Sequence, residues 1–348
     1  MMKQDQVPAI GSFKGLGIDE AEVFVDVCQP MPEHLTPRDL LVKVQAVSVN
    51  PVDTKLRQNL PESSTPHILG FDAVGQVVKT GSDATKFKVG DRVFYAGSAK
   101  RAGSNQSYQL VDERLVALAP HNLTDEEAAA LPLTSLTASE LLFDKFHLTP
   151  EKNAHRGKSL LIINGAGGVG SVMTQLAKWL GLTVIATASP KKFDWLKENG
   201  TDYPLDYKQG ITSGLKKIGI DKVDYIAVLH NITPYFEELT QIIQPFGHIG
   251  TIVAIDQKLD IGLLKNLSVS FDWEYMFAKT DYGIQLESQG QMLSRIAELV
   301  EKGEVRSTVT KIYGDGIHAA NLKRATKDVE TGHMTGKVVV SGPFNTLN

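Results

Sequence analysis

Residues 159–180 read SLLIINGAGGVGSVMTQLAKWL, and this stretch decides the fold of the chain around it. The apolar run Ser159–Asn164 is typical of a buried strand, and the glycine-rich loop after it leads into residues with helical spacing. The apolar residues of that helix recur on one face: Val169, Val172, Met173, Leu176, Ala177 and Leu180. Gly181 follows where a helix commonly ends, because glycine adopts the left-handed conformation of a C-cap at little cost. The stretch therefore predicts a strand, a tight loop and a helix in direct succession.

Strands and helices continue to alternate after this segment. The predicted elements are a strand at Thr183–Thr187, a helix around Lys192–Asn199 closed by Gly200, a strand at Val223–Leu229, a helix after Pro234 and a strand at His248–Ile255. Continuous apolar strands that alternate with amphipathic helices indicate a parallel sheet with helices on both faces. Because Thr124 offers a helix N-cap followed by acidic residues, we place the start of this doubly wound α/β domain there and its end at Lys279.

The residues on either side of this domain have a different rhythm. Short strands separated by Gly, Pro and Asp occupy the chain up to about residue 120, for example Leu40–Val47, Ala73–Lys79 and Asp91–Tyr95. This spacing is typical of a barrel-like β domain. Near the other end, Gln289–Lys302 predicts an amphipathic helix and Gly336–Ser341 a final strand, which we expect to fold back onto the N-terminal part. The prediction is a β-rich domain from residues 1–123 and 280–348 and an α/β domain from residues 124–279.

Composition narrows the partners and the compartment. The 348 residues carry a formal net charge of −4 with acids and bases intermixed, which argues against a nucleic-acid partner. Cys28 is the only cysteine, so no intramolecular disulfide can form, and we expect a small apolar core residue in a cytoplasmic protein. The N-terminus lacks the features of a secretion signal, and no apolar run approaches the roughly 20 residues of a membrane span. We therefore expect a small-molecule substrate and no membrane partner.

The glycine-rich loop matches a dinucleotide-binding fingerprint. Its members are Gly165, Ala166, Gly167, Gly168, Val169 and Gly170, with the fingerprint glycines at the first, third and sixth positions. Those glycines permit the tight turn, the close approach of a pyrophosphate and the packing of helix against strand. The helix N-terminus adds free N–H groups and the positive end of the helix dipole. We predict that this loop binds a dinucleotide pyrophosphate; the alternative is a glycine-rich turn without a ligand.

The end of the second strand bears on the choice between NADH and NADPH. NADH-specific enzymes usually place an acidic residue there to bind the ribose 2′-hydroxyl, whereas this chain has Ala188 followed by Ser189, Lys191 and Lys192. A hydroxyl and two ammonium groups suit a 2′-phosphate, so we predict NADPH as the cofactor. An ordinary exposed helix start is the alternative for the two lysines.

Two further strand ends are candidates for contacts with the nicotinamide. His230 follows one predicted strand, and Val253 and Ile255 lie at the end of another. Ligands of such sheets bind at the carboxyl ends of the strands. We therefore expect backbone groups of these residues to contact the carboxamide.

Five segments resemble one enzyme superfamily over nearly the whole chain: Asn50-Pro51-Val52-Asp53, Leu69–Gly75 (LGFDAVG), Val89–Val93 (VGDRV), Ala129–Leu142 (AALPLTSLTASELL) and the loop GAGGVG. They resemble the zinc-free, quinone oxidoreductase-like part of the medium-chain dehydrogenase/reductase superfamily, whose members are often named zinc-type alcohol dehydrogenase-like. The resemblance implies a Rossmann domain, a GroES-like substrate domain, a cleft between them and usually a homodimer. It also implies that Lys192 and Tyr207 hold the 2′-phosphate of NADPH.

The same resemblance bears on zinc. Zinc-dependent relatives hold the catalytic metal with Cys, His and a second Cys or an acid, and often carry four closely spaced structural cysteines. Here Asn50 stands in place of the first Cys, Phe71 replaces the His, and only Asp72 remains as a possible oxygen ligand. Because a catalytic zinc needs three protein ligands and an open position, we predict that this chain binds no metal.

Without a metal, the chemistry favours substrates that stabilise negative charge by themselves. An unactivated alcohol would need a Lewis acid, whereas quinones and α,β-unsaturated carbonyls delocalise the charge that hydride transfer creates. We predict hydride transfer from NADPH to such an acceptor, with Asn50, Asp53 and Lys55 as candidate catalytic residues and with Lys55 or Arg57 as the source of positive charge. The alternatives are an Asx-stabilised turn around Pro51 and, for Lys55 and Arg57, ordinary exposed basic side chains.

Aromatic side chains and an edge strand complete the expectations. Phe71, Phe271 and Tyr275 are candidates for apolar substrate walls, with packing in a core as the alternative for each. Asn266–Phe271 is a candidate edge strand that pairs with its copy in a homodimer, which would also cover the sheet edge. Two other functions stay open: a zinc-dependent alcohol dehydrogenase, which the missing ligands oppose, and a non-catalytic NADPH-binding protein.

Overall fold

The computed structural model describes residues 6–345, which form two units. One unit runs to Leu133 and resumes at Phe277, and the other is Thr134–Met276. We call them the β-rich unit and the α/β unit. The predicted domain limits of 123/124 and 279/280 differ from these. Residues 124–133 belong to the β-rich unit, because the short helix after Thr124 buries Ala128 and Ala129 against the strands of that unit.

The N-terminal part of the β-rich unit is built mainly from short strands. Its elements are β1 (Gln6–Ser12), β2 (Val25–Pro30), β3 (Asp39–Val49), α1 (Pro51–Gln58), β4 (His67–Ile68), β5 (Asp72–Thr80), β6 (Arg92–Tyr95), β7 (Tyr108–Asp112), β8 (Val116–Leu118), α2 (Asp125–Ala129) and α3 (Pro132–Ser139), the last of which crosses into the α/β unit. The sequence placed β3, β5, β6 and the start of α2 correctly. At that start, Thr124 Oγ1 accepts from the Glu127 amide at 3.2 Å and Glu127 Oε2 accepts from the Thr124 amide at 2.9 Å, which forms a capping box.

The α/β unit is the predicted doubly wound domain. Its elements, after a π-helical segment at Glu140–Lys145, are β9 (Ser159–Ile163), α4 (Gly168–Trp179), β10 (Thr183–Ala188), α5 (Phe193–Glu198), β11 (Tyr203–Asp206), α6 (Ile211–Lys217), β12 (Val223–Val228), α7 (Phe236–Ile242), β13 (Ile243–Thr251) and β14 (Ser270–Trp273). The six strands are parallel in the order β11-β10-β9-β12-β13-β14, which is the Rossmann order. The strand order runs outward from β9 in one direction to β11 and in the other to β14, and the glycine loop follows β9.

The C-terminal part returns to the β-rich unit, as predicted. It contains α8 (Phe277–Tyr282), α9 (Leu286–Glu301), β15 (Val309–Tyr313), α10 (Ala319–Glu330) and β16 (Lys337–Ser341). Strand β16 pairs antiparallel with β3, so that Val340 lies beside Val47 and Val338 beside Val49. These valines belong to one buried apolar cluster, which explains why the last strand is needed to complete the seven-stranded sheet.

Several sequence predictions need correction. Pro51–Gln58 forms a helix with Asn50 as its N-cap, rather than only a turn, because Pro51 suits the first helical position and Asp53 Oδ2 accepts from the Asn50 backbone amide at 2.7 Å. Strand β13 ends at Thr251, so Val253 and Ile255 lie in the loop after it. Cys28 is exposed on β2 and is not a core residue.

The candidate edge strand is also shorter than predicted. Residues Ile261–Leu267 form a 3₁₀ helix fixed by the buried Leu264, and β14 begins only at Ser270. Strand β14 nevertheless lies at the edge of the parallel sheet. Within the described part of the chain, no helix has the length and apolar character needed to cross a bilayer.

Candidate cofactor loop and buried polar network

The glycine loop is held in place by the neighbouring strand. The Gly165 amide donates to the Thr187 carbonyl at 3.0 Å, and the Asn164 amide donates to Thr187 Oγ1 at 3.1 Å. Asn164 has a positive φ of 69°, a conformation that Asn tolerates better than most residues. The loop between β9 and α4 is therefore fixed against β10 before any ligand binds.

The three fingerprint glycines are needed for two different reasons. A Cβ on Gly165 would lie 2.7 Å from Ala186 Cβ, and a Cβ on Gly170 would lie 2.5 Å from the Gly165 carbonyl oxygen. Gly167 is different, because its φ is −75° and a Cβ there would meet nothing closer than Asn164 Nδ2 at 3.4 Å. Protein packing alone thus requires Gly165 and Gly170. Gly167 instead leaves space outside the loop that a ligand can approach.

The N-terminus of α4 supplies the groups that this space would face. Gly167 is its N-cap, and no side chain caps the helix. Gly168 and Val169 are the first helical residues and are half-buried, whereas Ala166 is buried in the loop. The amides of the first turn have no acceptor within the helix, so they and the helix dipole suit a pyrophosphate. The loop therefore fits a dinucleotide.

Ser189, Lys192 and Tyr207 follow the carboxyl ends of two adjacent strands, β10 and β11. Ser189 follows β10 and Tyr207 follows β11, and these strands pair so that Ala188 lies beside Asp206. Lys192 ends a 3₁₀ turn and is the N-cap of α5. Burial lowers the pKa of Lys192, and a phosphate beside it would offset that cost. The residues at this edge fit a 2′-phosphate.

The other predicted residues of the α/β unit lie along the same edge of the sheet. His230 is exposed just after β12, and Val253 and Ile255 are half-buried after the neighbouring β13. Phe271 lies in β14, with its ring centroid 6.2 Å from that of Phe236, and it packs on the core. Tyr275 is exposed beyond β14. Phe271 thus follows the packing alternative, whereas Tyr275 remains accessible.

A polar network is buried in the β-rich unit. Asp72 Oδ2 accepts from Ser48 Oγ at 2.6 Å, Asn50 Nδ2 at 2.8 Å and Lys337 Nζ at 3.0 Å, and Asp72 Oδ1 accepts from the Leu133 amide at 2.7 Å. Lys337 Nζ also donates to Asn50 Oδ1. Asp72 is 0% exposed, Asn50 1% and Lys337 4%. We call Ser48, Asn50, Asp72 and Lys337 the lysine network; it engages both the oxygen and the nitrogen of the Asn50 side-chain amide.

Asp53 lies next to this network with one oxygen unused. Its Oδ2 accepts from the Asn50 amide, whereas Oδ1 is buried without a hydrogen-bond partner. The Asp53 side chain lines a cavity of about 10 Å³, together with Ser48, Asn105 and Thr326. Burial raises the pKa of Asp53 to about 7, and the nearby Asp72 adds to the rise. Asp53 can therefore hold a proton near neutral pH.

The remaining candidates have separate surroundings. Lys55 is exposed on α1, as its alternative predicts. Arg57 is not exposed: it is 1% accessible and pairs with Glu330 at 2.6 Å, so it cannot act as a free surface charge. Phe71 is buried with its ring centroid 4.4 Å from that of Phe277, in the β-rich unit. The structure therefore supports packing rather than an open wall for Phe71.

Sequence reasoning missed Lys337 and Ser48. The only signal for Lys337 is a charged residue at the start of the apolar strand KVVVS, where an exposed strand end is the simpler interpretation. Nothing near Lys337 in the sequence indicates Asp72, which lies 265 residues away. Strand β3 pairs with β16 on one side and with β5 on the other, which brings Lys337 and Asp72 together.

Comparison with known proteins agrees with this architecture. The family profile described as "Alcohol dehydrogenase GroES-like domain" matches residues 36–121, and "Zinc-binding dehydrogenase" matches residues 199–340. A zinc-type alcohol dehydrogenase-like protein of Staphylococcus epidermidis is 44% identical over 96% of this chain and 99% of its own. The chain belongs to the medium-chain dehydrogenase/reductase superfamily.

Two further relatives extend the comparison for this dehydrogenase/reductase. A crystal structure from Rhizobium etli CFN 42, of a protein named as a zinc-dependent alcohol dehydrogenase, has a TM-score of 0.91 and 37% identity over 99% of both chains. The NADPH-dependent alkenal/one oxidoreductase of Arabidopsis thaliana chloroplasts is 31% identical over 93% of this chain and 76% of its own. The predicted family and its two-part fold are confirmed.

The names of the Staphylococcus epidermidis and Rhizobium etli relatives mention zinc, but the residues of this dehydrogenase/reductase do not fit a zinc ion. Asn50 and Asp72 both bind the ammonium of Lys337, so a zinc ion would have to displace a buried cation from them. Phe71 offers no donor atom. Among residues 6–345, no three His, Cys, Asp or Glu side chains are placed to hold a metal. The donor set lacks the three protein ligands of a catalytic zinc.

Proposed function

We propose that this protein is an NADPH-dependent, metal-independent oxidoreductase that transfers hydride to a quinone or an α,β-unsaturated carbonyl. The observation that carries the proposal is the lysine network, in which a buried ammonium takes the donor atoms that a metal would need. Quinones and enones delocalise the charge that hydride transfer creates, so they suit a protein without a Lewis acid. Oxidation of an unactivated alcohol does not.

NADPH rather than NADH is supported by the edge of the α/β sheet. Ala188 places no carboxylate at the end of β10, and Ser189, Lys192 and Tyr207, which follow the ends of β10 and β11, supply the hydroxyl and ammonium groups that suit a 2′-phosphate. When bound, NADPH supplies the hydride. The Arabidopsis relative is named for NADPH and for alkenals and alkenones, which is in line with this choice.

The candidate catalytic residues receive distinct roles in this proposal. Asn50 and Asp53 act through the lysine network, because the Asn50 amide is already engaged and Asp53 is buried beside it. Lys55 keeps an exposed ammonium on α1 that can place positive charge near a developing oxyanion. His230, Val253 and Ile255 offer backbone groups at the carboxyl edge of the sheet for the carboxamide.

The proposal is tested by following NADPH oxidation after exhaustive treatment with a chelator. The acceptors are 1,4-benzoquinone, 9,10-phenanthrenequinone and a small enone, each compared with NADH as the donor. We expect turnover that survives chelation and prefers NADPH. Activity restored only by zinc, with an alcohol as substrate, would support the alcohol dehydrogenase instead. Tight NADPH binding without turnover of any acceptor would support the non-catalytic binding protein.

A homodimer and a cytoplasmic location are part of the same proposal. Strand β14 lies at a sheet edge with Trp273 exposed on it and Tyr275 just beyond, so a second copy could extend the sheet and cover these rings. Light scattering during gel filtration measures the mass; a monomer contradicts the dimer. The single exposed thiol of Cys28 suits a reducing compartment such as the cytoplasm.

A further inference from the structure

Trp195 links the two parts of the proposed cofactor site. It is half-buried on α5, three residues after Lys192. Its Nε1 donates to Ser171 Oγ at 2.8 Å, and Ser171 Oγ donates to the Gly167 carbonyl at 2.8 Å. The indole N–H can only donate and Ser171 has a single proton, so the direction of both bonds is fixed. A chain of two hydrogen bonds therefore connects α5 to the N-cap of α4.

An apolar contact reinforces this connection. A Cβ on Gly165 would lie 3.2 Å from Leu196 Cδ2, so the residue after Trp195 packs directly on the glycine loop. Leu196 is 1% exposed. The helix that begins next to Lys192 is thus attached to the loop at two adjacent residues, one through a polar and one through an apolar contact.

We propose that Trp195 is a positioning residue that sets the selectivity for NADPH by fixing Lys192 relative to the glycine loop. This inference rests on the proposed function. NADPH presents phosphate groups at two places, the pyrophosphate and the 2′-phosphate. Both can be bound at full strength only if α4 and α5 keep a fixed spacing, because a pre-organised site pays less ordering cost on binding. NADH has no 2′-phosphate and depends only on the loop.

The test is Trp195→Phe, which keeps an aromatic ring and removes the N–H. Isothermal titration calorimetry gives the Kd of the full-length protein for NADPH and for NADH. Loss of this one partly buried hydrogen bond predicts a rise of about three- to tenfold in the Kd for NADPH. The Kd for NADH should change less than about twofold, because the variant weakens only the contact of Lys192 with a 2′-phosphate, which NADH lacks. Trp179→Phe is the matched control, since Trp179 is half-buried at the other end of α4, and it should leave both values unchanged.

A second variant and a double variant guard against a general loss of folding. Ser171→Ala removes the acceptor of the Trp195 N–H and also the bond to the Gly167 carbonyl, so it should weaken the binding of both cofactors, but that of NADPH more than that of NADH. In a Lys192→Met background, Trp195→Phe should add almost nothing, because the two residues act on one contact. Equal weakening of both cofactors, or a full effect in that background, overturns the inference.

The outcomes also separate this inference from the proposed function. A wild-type protein that prefers NADPH, with a Trp195→Phe variant that behaves in the same way, overturns the role of Trp195 alone. A wild-type protein that binds NADPH and NADH equally overturns the proposed 2′-phosphate site and the inference with it.

Discussion

The glycine loop and the lysine network are built from different parts of the chain. The loop at 164–170 uses the backbone of seven consecutive residues, whereas the network joins side chains as far apart as Asp72 and Lys337. The loop presents N–H groups that water can still reach, so its cost in the empty protein is small. The network removes two charges from water and is stable only while each keeps its partner. We therefore expect the two regions to respond to different substitutions. An added Cβ should impair the loop, whereas removal of one charged partner should destabilise the lysine network.

Removing the buried ammonium should have the largest effect. Lys337→Met leaves Asp72 as a carboxylate with no counter-charge, and breaking a buried pair in this way costs about 3–5 kcal/mol. Urea unfolding measures the loss. Lys311→Met is the control on the neighbouring strand β15, because its ion pair with Asp328 leaves 46% and 25% of the two side chains exposed to water, so we expect it to contribute less than about 1 kcal/mol. Equal losses in the two variants would show that the network does not hold the β-rich unit together.

Ionisation of Asp53 should lower stability as the pH rises. Burial raises its pKa to about 7, so the folded protein keeps this proton over a range in which the unfolded chain releases it. The resulting stabilisation is complete below the unfolded pKa and disappears as the pH rises through about 7, which amounts to about 3 kcal/mol between pH 5 and pH 8.

Unfolding of Asp53→Asn at both pH values checks this expectation. The variant should lack that part of the pH dependence, whereas Asp194→Asn, an exposed control on α5, should keep it. An Asp53→Asn protein with the same pH profile as the wild type would assign the dependence to other groups.

Two alanine substitutions should separate packing from ligand approach within the loop. Gly170→Ala forces a Cβ to within 2.5 Å of the Gly165 carbonyl oxygen, so it should cost about 1–3 kcal/mol of stability. Gly167→Ala meets no such contact and loses only the preference of an N-cap for glycine, so it should lower the melting temperature less than Gly170→Ala does while it weakens NADPH binding. Thermal unfolding and calorimetric titration of both variants make the comparison. Normal NADPH affinity in Gly167→Ala would mean that no ligand approaches this residue.

The smallest effect is expected when the proposed contact with the 2′-phosphate of NADPH is removed. Lys192→Met removes a half-buried ammonium and should raise the Kd for NADPH about tenfold, as expected for one charged hydrogen bond, with little change for NADH. Lys191→Met is the matched control, since Lys191 is exposed on the same turn. If the two variants lose NADPH affinity equally, a general positive field rather than a defined contact would explain the preference.

Local patterns predicted the α/β unit well because each signal lies within a few residues. The helical spacing from Val169 to Leu180 and the position of Gly181 predicted α4 and its end. The same logic found β9, β10, β12 and α7. It began the edge strand too early, at Asn266, because residues Ile261–Leu267 form a 3₁₀ helix in which Leu264 is buried and Asp260 caps the turn at Gly262, and β14 begins only at Ser270. An apolar run of that length does not distinguish a strand from a short helix.

For the candidate sites too, local motifs identified the residues, whereas only the structure showed their surroundings. Gly165, Gly167 and Gly170 could be identified from their spacing, but only the structure showed that Gly167 has a different reason to be glycine. Asn50 and Asp53 were identified from a local motif, whereas their surroundings were not. Arg57 was expected at the surface and is buried, because Glu330 on α10 supplies its counter-charge.

By itself, the sequence determined the doubly wound α/β unit, the glycine loop and the return of the final strand, because hydrophobic periodicity and glycine spacing act within a single element. Only the tertiary structure decided the lysine network and the connection from Trp195 to Ser171. Both depend on which distant segments become neighbours, and sheet register and helix packing set that. The register that places Val338 beside Val49 also brings Lys337 to Asn50 and Asp72. No periodicity near Lys337 encodes this contact, because its physical cause is the burial of two strands against one another.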